Sequence, residues 1–300
     1  MTSVPIELQS ALGYRYELRR EIGRGGMATV YLADDRQHGR SVAVKVLDSA
    51  LHANDAEAER FHREIRVAAS LVHPAIVPLF DSGECNGRLY YVMPFIDSET
   101  LGDHLAREGT LSIESAVRVT ASLARALDYA HRRGIVHRDI KPDNIFLHEG
   151  EALLADFGVA RAVSSLGMTS TVMTTDGLAV GTPSYMSPEQ ALAEKDVDGR
   201  SDQYSLACVL FEMLTGKPPF SGEHARQVIM RHVTEPPPRV RVQRPEASSA
   251  IEGALVRALA KDPNERFQTT GEFAAALTQK TGLEGTLGDS LHAIAVLPFV

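Results

Sequence analysis

His137-Arg138-Asp139-Ile140-Lys141-Pro142-Asp143-Asn144 and, seventeen residues beyond Asp139, Asp156-Phe157-Gly158 are the stretches that decide the fold. The first gathers several polar residue types in a short loop directly after a long helical pattern. Asp139 can accept a proton from an attacking hydroxyl, Lys141 can stabilise a transferring phosphoryl group, and Asn144 can ligate a hard cation through its amide oxygen. Asp156 follows the apolar run Ala152 to Ala155 and precedes a flexible glycine. A carboxylate at such a strand end suits Mg2+, which takes one or two protein oxygens together with substrate phosphates. A single aspartate is as well explained as a cap or turn residue; both motifs together at this spacing are not.

Upstream, Ile22-Gly23-Arg24-Gly25-Gly26-Met27-Ala28-Thr29-Val30-Tyr31 lies between two strand patterns. Its glycines let backbone N–H groups approach phosphates with no Cβ in the way, and the same stretch also reads as a tight hairpin turn. Val42-Ala43-Val44-Lys45 is a strand ending in a lysine, which is costly amid apolar neighbours unless paired. Glu64, in Phe61-His62-Arg63-Glu64-Ile65, either pairs with Lys45 or is an ordinary solvated helix glutamate.

Around these motifs the chain divides in two. From Tyr14 to about Ile96 the pattern predicts short strands at 16–21, 29–34, 41–47, 76–82 and 88–93, interrupted by one helix with Asn54 as N-cap that runs to Leu71. After Asp97 it turns helical. Ser112 caps a long helix ended by Gly134; Ser201 caps an almost wholly apolar one ended by Gly216. Weaker helices follow at about 222–233, 248–260 and 270–279. A helix apolar on most sides is expected at a domain centre.

The 300 residues are 44% hydrophobic and 23% charged, with a net charge of −8. That is globular composition with room for two lobes, and it argues against global disorder. A mildly acidic chain is a poor candidate for sequence-independent nucleic-acid binding. Cys85 and Cys208 are the two cysteines; they match no metal-ligand spacing and form no disulfide framework, so a reducing cytoplasm is the expected setting. No apolar run reaches the length of a membrane span, and no signal peptide is apparent.

In order along the chain these motifs resemble the protein kinases, and most closely the eukaryotic-like serine/threonine kinases of bacteria. The resemblance covers residues 14–279 and implies an α+β, bilobal protein-kinase fold: a β-rich N-lobe at 14–96 with one main helix, and an α-rich C-lobe at 97–279. It implies a serine/threonine kinase that transfers the γ-phosphoryl group of ATP to protein hydroxyls, with Mg2+ as cofactor and Mn2+ as an alternative. By the family pattern Asp139 is the catalytic base. Lys45, held by Glu64, touches the α/β-phosphates, and Asn144 and Asp156 hold the metal. Thr182 orients Asp139 and Lys141. Gly23 to Ala28 cover the phosphates, with Ile22, Arg24, Gly25, Gly26 and Met27 counted in the nucleotide site. Val30 and Ala43 belong to the adenine side, Met93 guards its back, and Pro94, Phe95 and Ile96 form the hinge. The family's hinge contacts use a carbonyl at Pro94 and an N–H at Ile96, so a proline there is compatible.

Lys141 and Gly181-Thr182-Pro183-Ser184-Tyr185 resemble the serine/threonine branch. The resemblance also pairs Glu189 with Arg266 and makes Asp202 an acceptor for the catalytic loop. Two positions depart from the commonest pattern: Ala28 stands for the third loop glycine, and Ser187-Pro188-Glu189 replaces Ala-Pro-Glu. Neither removes a charged or metal-binding group. The alternatives are a catalytically weak, ATP-binding pseudokinase or scaffold module, and a small-molecule phosphotransferase of similar fold.

Arg138 before the catalytic aspartate implies regulation by a phosphate on the activation segment, where Thr174 is the expected acceptor, with Thr175 and Thr171 beside it. A homodimer for trans-autophosphorylation is a family expectation. Residues 280–292 read as a linker. Ala293-Ile294-Ala295-Val296-Leu297-Pro298-Phe299 resembles the first strand of a further domain, so the natural chain is expected to continue.

Overall fold

The computed structural model describes residues 4–25, 28–47, 55–157 and 183–278, with 55–57 as backbone only. Five antiparallel strands run β1 (Tyr16–Arg24), β2 (Ala28–Asp35), β3 (Arg40–Leu47), β4 (Asp81–Cys85) and β5 (Arg88–Pro94), in the spatial order β1-β2-β3-β5-β4. Strand period two sorts their side chains. Val42, Val44, Val46, Tyr90 and Val92 face one way, onto Leu8 and Leu12 of helix α1 (Ile6–Leu12). Ala43, Leu47, Leu89, Tyr91 and Met93 face the other, onto Phe61 and Ile65 of helix α2 (Asp55–Ala69). Lys45 lies between Ala43 and Leu47 in sequence and therefore belongs to this second face.

The second lobe is built on α3 (Leu101–Glu108), α4 (Ile113–His131), α5 (Pro188–Ala191), α6 (Gly199–Thr215), α7 (Ala225–Thr234), α8 (Val240–Gln243), α9 (Ser249–Ala258) and α10 (Thr270–Thr278). Between α4 and α5 comes a small hairpin, β6 (Ile145–His148) and β7 (Glu151–Leu154). Ser112 caps α4 by accepting from the Ser115 N–H at 3.1 Å, as its sequence predicts. Helix α6 is the buried centre, with residues 201–211 all buried.

Three expectations are corrected. The cap of α6 is Asp198, which accepts from Arg200 N–H at 2.9 Å; Ser201 lies inside the helix, and its buried hydroxyl meets that of Ser187 at 2.8 Å. Residues 76–80 form no ladder strand. Their apolar run is used between the lobes, where Val77 donates to the Leu154 carbonyl at 2.9 Å and Leu154 donates to Ala75 at 2.9 Å. The partner strand of β5 is instead 81–85, and the signal was present: Asn86-Gly87, with φ of 49° and 71°, is the two-residue turn that joins antiparallel strands and so fixes a strand end at Cys85. Helices α1 and α3, only 7 and 8 residues long, give too short a pattern to be expected from the sequence. The proposed Asn54 cap, the 280–292 linker and the 293–300 strand lie outside the described residues. Among the described residues no helix is long and apolar enough to cross a membrane.

Candidate active site

The catalytic loop leaves α4 through Gly134, at φ 74°, and is shaped from below by α6. The buried Asp202 carboxylate accepts three bonds: from His137 N–H and Arg138 N–H, each at 2.8 Å, and from the His131 ring at 2.7 Å. Arg138 sits at φ 70°, a left-handed conformation that a non-glycine residue adopts at a cost. Asp202 holds the amide of the kinked residue and the one before it. Burial alone would raise the Asp202 pKa; the His131 hydrogen bond and charge, with the backbone N–H donors, outweigh it and keep the carboxylate below its usual range. The His137 ring is fixed as well. Asp139 N–H donates to its Nδ1 at 3.2 Å, so Nε2 carries the proton donated to the Ala155 carbonyl at 2.9 Å.

That geometry presents Asp139. Lys141 Nζ meets Asp139 Oδ2 at 2.9 Å, and Asn144 Nδ2 donates to the same oxygen at 3.0 Å and to the Asp139 carbonyl at 2.7 Å. Burial would discharge Lys141, but the Asp139 carboxylate, with Asp156 next, reverses this and raises its pKa, so the ammonium stays charged.

The β6–β7 hairpin brings the two candidate metal ligands together. Asn144 immediately precedes β6, Asp156 comes two residues after β7, and Ala155 N–H donates to the Asn144 carbonyl at 2.9 Å, extending the ladder by one step. Asp156 is at φ 64°, the second strained residue of the site. Its Oδ2 receives Lys45 Nζ at 2.6 Å and its Oδ1 receives the Tyr91 hydroxyl at 2.7 Å. Burial pushes the Asp156 pKa up, and the Lys45 charge and hydrogen bond, with the Tyr91 hydrogen bond, push it further down, so the group is held ionised. The donor set is a carboxylate and an amide whose N–H2 is already used on Asp139, leaving its oxygen as the ligating atom. Hard oxygen ligands of this number fit a divalent cation that keeps water and phosphate oxygens for its other positions.

A cleft of about 550 Å³ lies between the lobes. Ile22, Gly23, Val30, Ala43, Lys45, Met93, Pro94, Ile96, Asn144 and Asp156 all line it, together with Phe95. Sequence reasoning missed the acidic mouth: Asp97, Glu99, Asp103 and Asp143 also line the cleft. Gly23 and Gly25 are in the β1–β2 hairpin, but neither has a positive φ, and a Cβ on either would meet nothing closer than 3.9 Å. Folding of the hairpin therefore does not demand glycine at these two positions. Ala28 is buried on the same face as Ala43, and Arg24 is tied to Glu21 at 2.7 Å. Glu64 is half-buried on α2, one residue before buried Ile65; the ion pair seen for Lys45 is with Asp156. Gly26, Met27, Thr182, Thr171, Thr174 and Thr175 lie outside the described residues.

Farther from the cleft, Arg266 makes a bidentate pair with Glu189 at 2.7 and 2.8 Å, and Tyr185 donates to Glu212 at 2.6 Å. The first matches the pairing implied by the sequence. Asp202 beneath the loop does so too.

A two-lobed nucleotide-sized cleft with a paired lysine and aspartate above an Asp–Lys–Asn loop defines a phosphotransferase site. Comparison with known proteins gives the family. The model of the protein kinase domain matches residues 16–278. A probable serine/threonine-protein kinase of Streptomyces coelicolor is 45% identical over 267 residues, covering 87% of this chain and 39% of that protein. The serine/threonine-protein kinase PknB of Mycobacterium tuberculosis is 42% identical over 275 residues, covering 90% of this chain and 43% of its own length. The crystal structure of the M. tuberculosis PknI kinase domain matches with a TM-score of 0.71 at 35% identity, covering 89% of this chain and 96% of that one. The chain belongs to the protein kinase domain family, on its serine/threonine side, and has the bilobal fold of that family. Kinases of this family use ATP, a divalent metal and protein substrates. The chain spans about two-fifths of the length of the curated relatives it matches.

Proposed function

We propose that this chain transfers the γ-phosphoryl group of ATP to serine and threonine hydroxyls of proteins, with Mg2+ as the metal and Mn2+ able to replace it. The observation that carries the proposal is that Lys45, Asp156 and Asn144 line one cleft, with Asp139 and Lys141 bonded to each other and to Asn144 at its edge through Asp139. A divalent cation held by Asn144 and Asp156 would neutralise phosphate charge. Lys45 supplies a cation to the phosphates from the sheet side and Lys141 one from the loop side. Among the described residues both contacts to the Asp139 carboxylate fall on Oδ2, which leaves Oδ1 to take the proton of the attacking hydroxyl. The new O–P bond forms as the bond from the γ-phosphorus to the bridging oxygen breaks, and ADP leaves with that electron pair. Positioning and charge neutralisation do most of the work.

Residues 14–279 form the proposed kinase domain, with 14–96 and 97–279 as its lobes. Val30, Ala43 and Met93 enclose the adenine, and Pro94 and Ile96 offer the hinge carbonyl and N–H. Gly23 to Ala28 cover the phosphates. Glu64 steadies Lys45 once nucleotide engages Asp156, and Thr182 orients Asp139 and Lys141. Autophosphorylation on Thr174, Thr175 or Thr171, within a homodimer, orders the activation segment through Arg138. A cytoplasmic location completes the proposal.

The test is γ-phosphoryl transfer by wild type and Asp139→Asn, with phosphopeptide mapping of the product. Loss of a general base lowers transfer by roughly 10²- to 10⁴-fold. Wild-type transfer no faster than Asp139→Asn would leave a nucleotide-binding scaffold as the function. Phosphate absent from 171–175 in active protein would remove the autophosphorylation proposal alone.

A further inference from the structure

Tyr91 is opposite Lys45 in the β3–β5 ladder, so both side chains rise from the same face of the sheet. Tyr91 is fully buried, its ring 5.8 Å from the Lys45 ammonium, and it belongs to the cluster that includes Phe61, Ile65, Met93 and Ala155. Most of that cluster is aliphatic or phenyl, and a phenylalanine would fill the same volume. The hydroxyl is therefore the part that packing does not explain. It spans from the first lobe to the second and donates to Asp156 Oδ1 at 2.7 Å, while Lys45 takes Oδ2.

We infer that Tyr91 is a positioning residue for Asp156: its hydroxyl fixes the rotation of that carboxylate, so that one lone pair of Oδ1 stays aimed at the divalent cation. The inference rests on the reading of Asp156 as a metal ligand. Three features support it. Asp156 stands at φ 64°, where backbone preference does not hold it, so its side-chain bonds must. A lysine ammonium is a point charge on a flexible stem and does not set the plane of a carboxylate; a phenol held by a buried ring does. A carboxylate oxygen also has two lone-pair sites, so the Tyr91 bond and a cation can share Oδ1. Hydrogen-bonded partners of ligating carboxylates change metal affinity by roughly 10- to 100-fold when removed.

The test is Mn2+ binding to the whole chain with a non-hydrolysable ATP analogue, read by electron paramagnetic resonance of free Mn2+, for wild type, Tyr91→Phe, Tyr91→Met and Asp156→Asn. Thermal unfolding of each variant runs alongside. Tyr91→Phe and Tyr91→Met should weaken Mn2+ binding about 10-fold. They should also raise the Mg2+ concentration for half-maximal transfer by a similar factor, with the KM for protein substrate unchanged. Asp156→Asn should abolish the tight site. Either folded Tyr91 variant binding Mn2+ as wild type does, beside a loss in Asp156→Asn, overturns the role of Tyr91 and leaves the site intact. Unchanged binding in Asp156→Asn overturns the metal reading of Asp156 itself.

Discussion

Two ion pairs of this molecule use the same chemistry and do opposite jobs. Arg266–Glu189, in the helical lobe, is almost wholly buried, at 0% and 5% exposure, and all five guanidinium N–H donors are engaged. Nothing is left over for a ligand. Lys45–Asp156, between the lobes, is more open at 23% and 12%, and both groups line the cleft. The lysine has three donors, of which one is placed on Asp156. A saturated pair is a rivet; a pair with spare capacity at a cavity wall is a site that exchanges partners when phosphate and metal arrive. Burial and the count of unused donors separate the two, whereas charge and distance do not.

Breaking the rivet should have the largest effect on the fold. Glu189→Ala leaves the Arg266 charge buried with only backbone carbonyls and the face of the Tyr204 ring, and stability falls by roughly 3–5 kcal/mol in urea unfolding. A loss below about 1 kcal/mol would mean that the arginine escapes to water, and the contrast would fail. Lys45→Met sharpens the other side. Transfer falls by roughly 10²- to 10³-fold, as when one transition-state donor is removed. The urea midpoint should move far less than for Glu189→Ala, because Tyr91 still donates to Asp156 and the pair is partly solvated. Equal destabilisation by the two variants would make Lys45–Asp156 structural.

A smaller, pH-dependent effect comes from a third buried group. His232, on α7, is fully buried against Tyr204 and Phe220, and burial, aided by the Lys261 charge, lowers its pKa to about 3. The unfolded chain binds this proton near the ordinary value of 6.5 and the folded chain does not, so stability falls as pH drops below about 6.5 and continues to fall to about 3. One such group gives a slope approaching 1.4 kcal/mol per pH unit. Asp202 and Asp156, held low, lose their contribution only below about pH 4, the ordinary aspartate range. His232→Gln should flatten the stability curve between pH 6.5 and 4.5; an unchanged slope would assign the acid limb to other groups.

Much of the site is legible in the sequence. Asp139, Lys141 and Asn144 are few residues apart in one short loop, and Asp156 follows them across a single short hairpin, so little freedom is left in how these groups meet. Lys45 was legible as a costly charge in an apolar strand. Tyr91 was not, although its position opposite Lys45 was encoded once strands 40–47 and 88–94 were paired. A tyrosine in an apolar strand looks like core, and only the fold shows which atom its hydroxyl reaches. The misplaced strand at 76–82 has a similar cause: its run Ile76-Val77-Pro78-Leu79-Phe80 carries the β-branched and aromatic residues of a strand and is used between the lobes instead. Ser201 and Asp198 are both good caps, and choosing between them needs the partner of the losing hydroxyl, Ser187.

By itself the sequence determined the two-lobed α+β architecture, the family and the identity of the charged groups at the cleft, because those follow from local pattern and from motifs whose members are near in the chain. Only the tertiary structure decided which partners those groups hold. Lys45 and Asp156 are 111 positions apart, and Tyr91 and Asp156 are 65. Pairings over such distances depend on how sheet, hairpin and helix stack in three dimensions, and no local spacing records that.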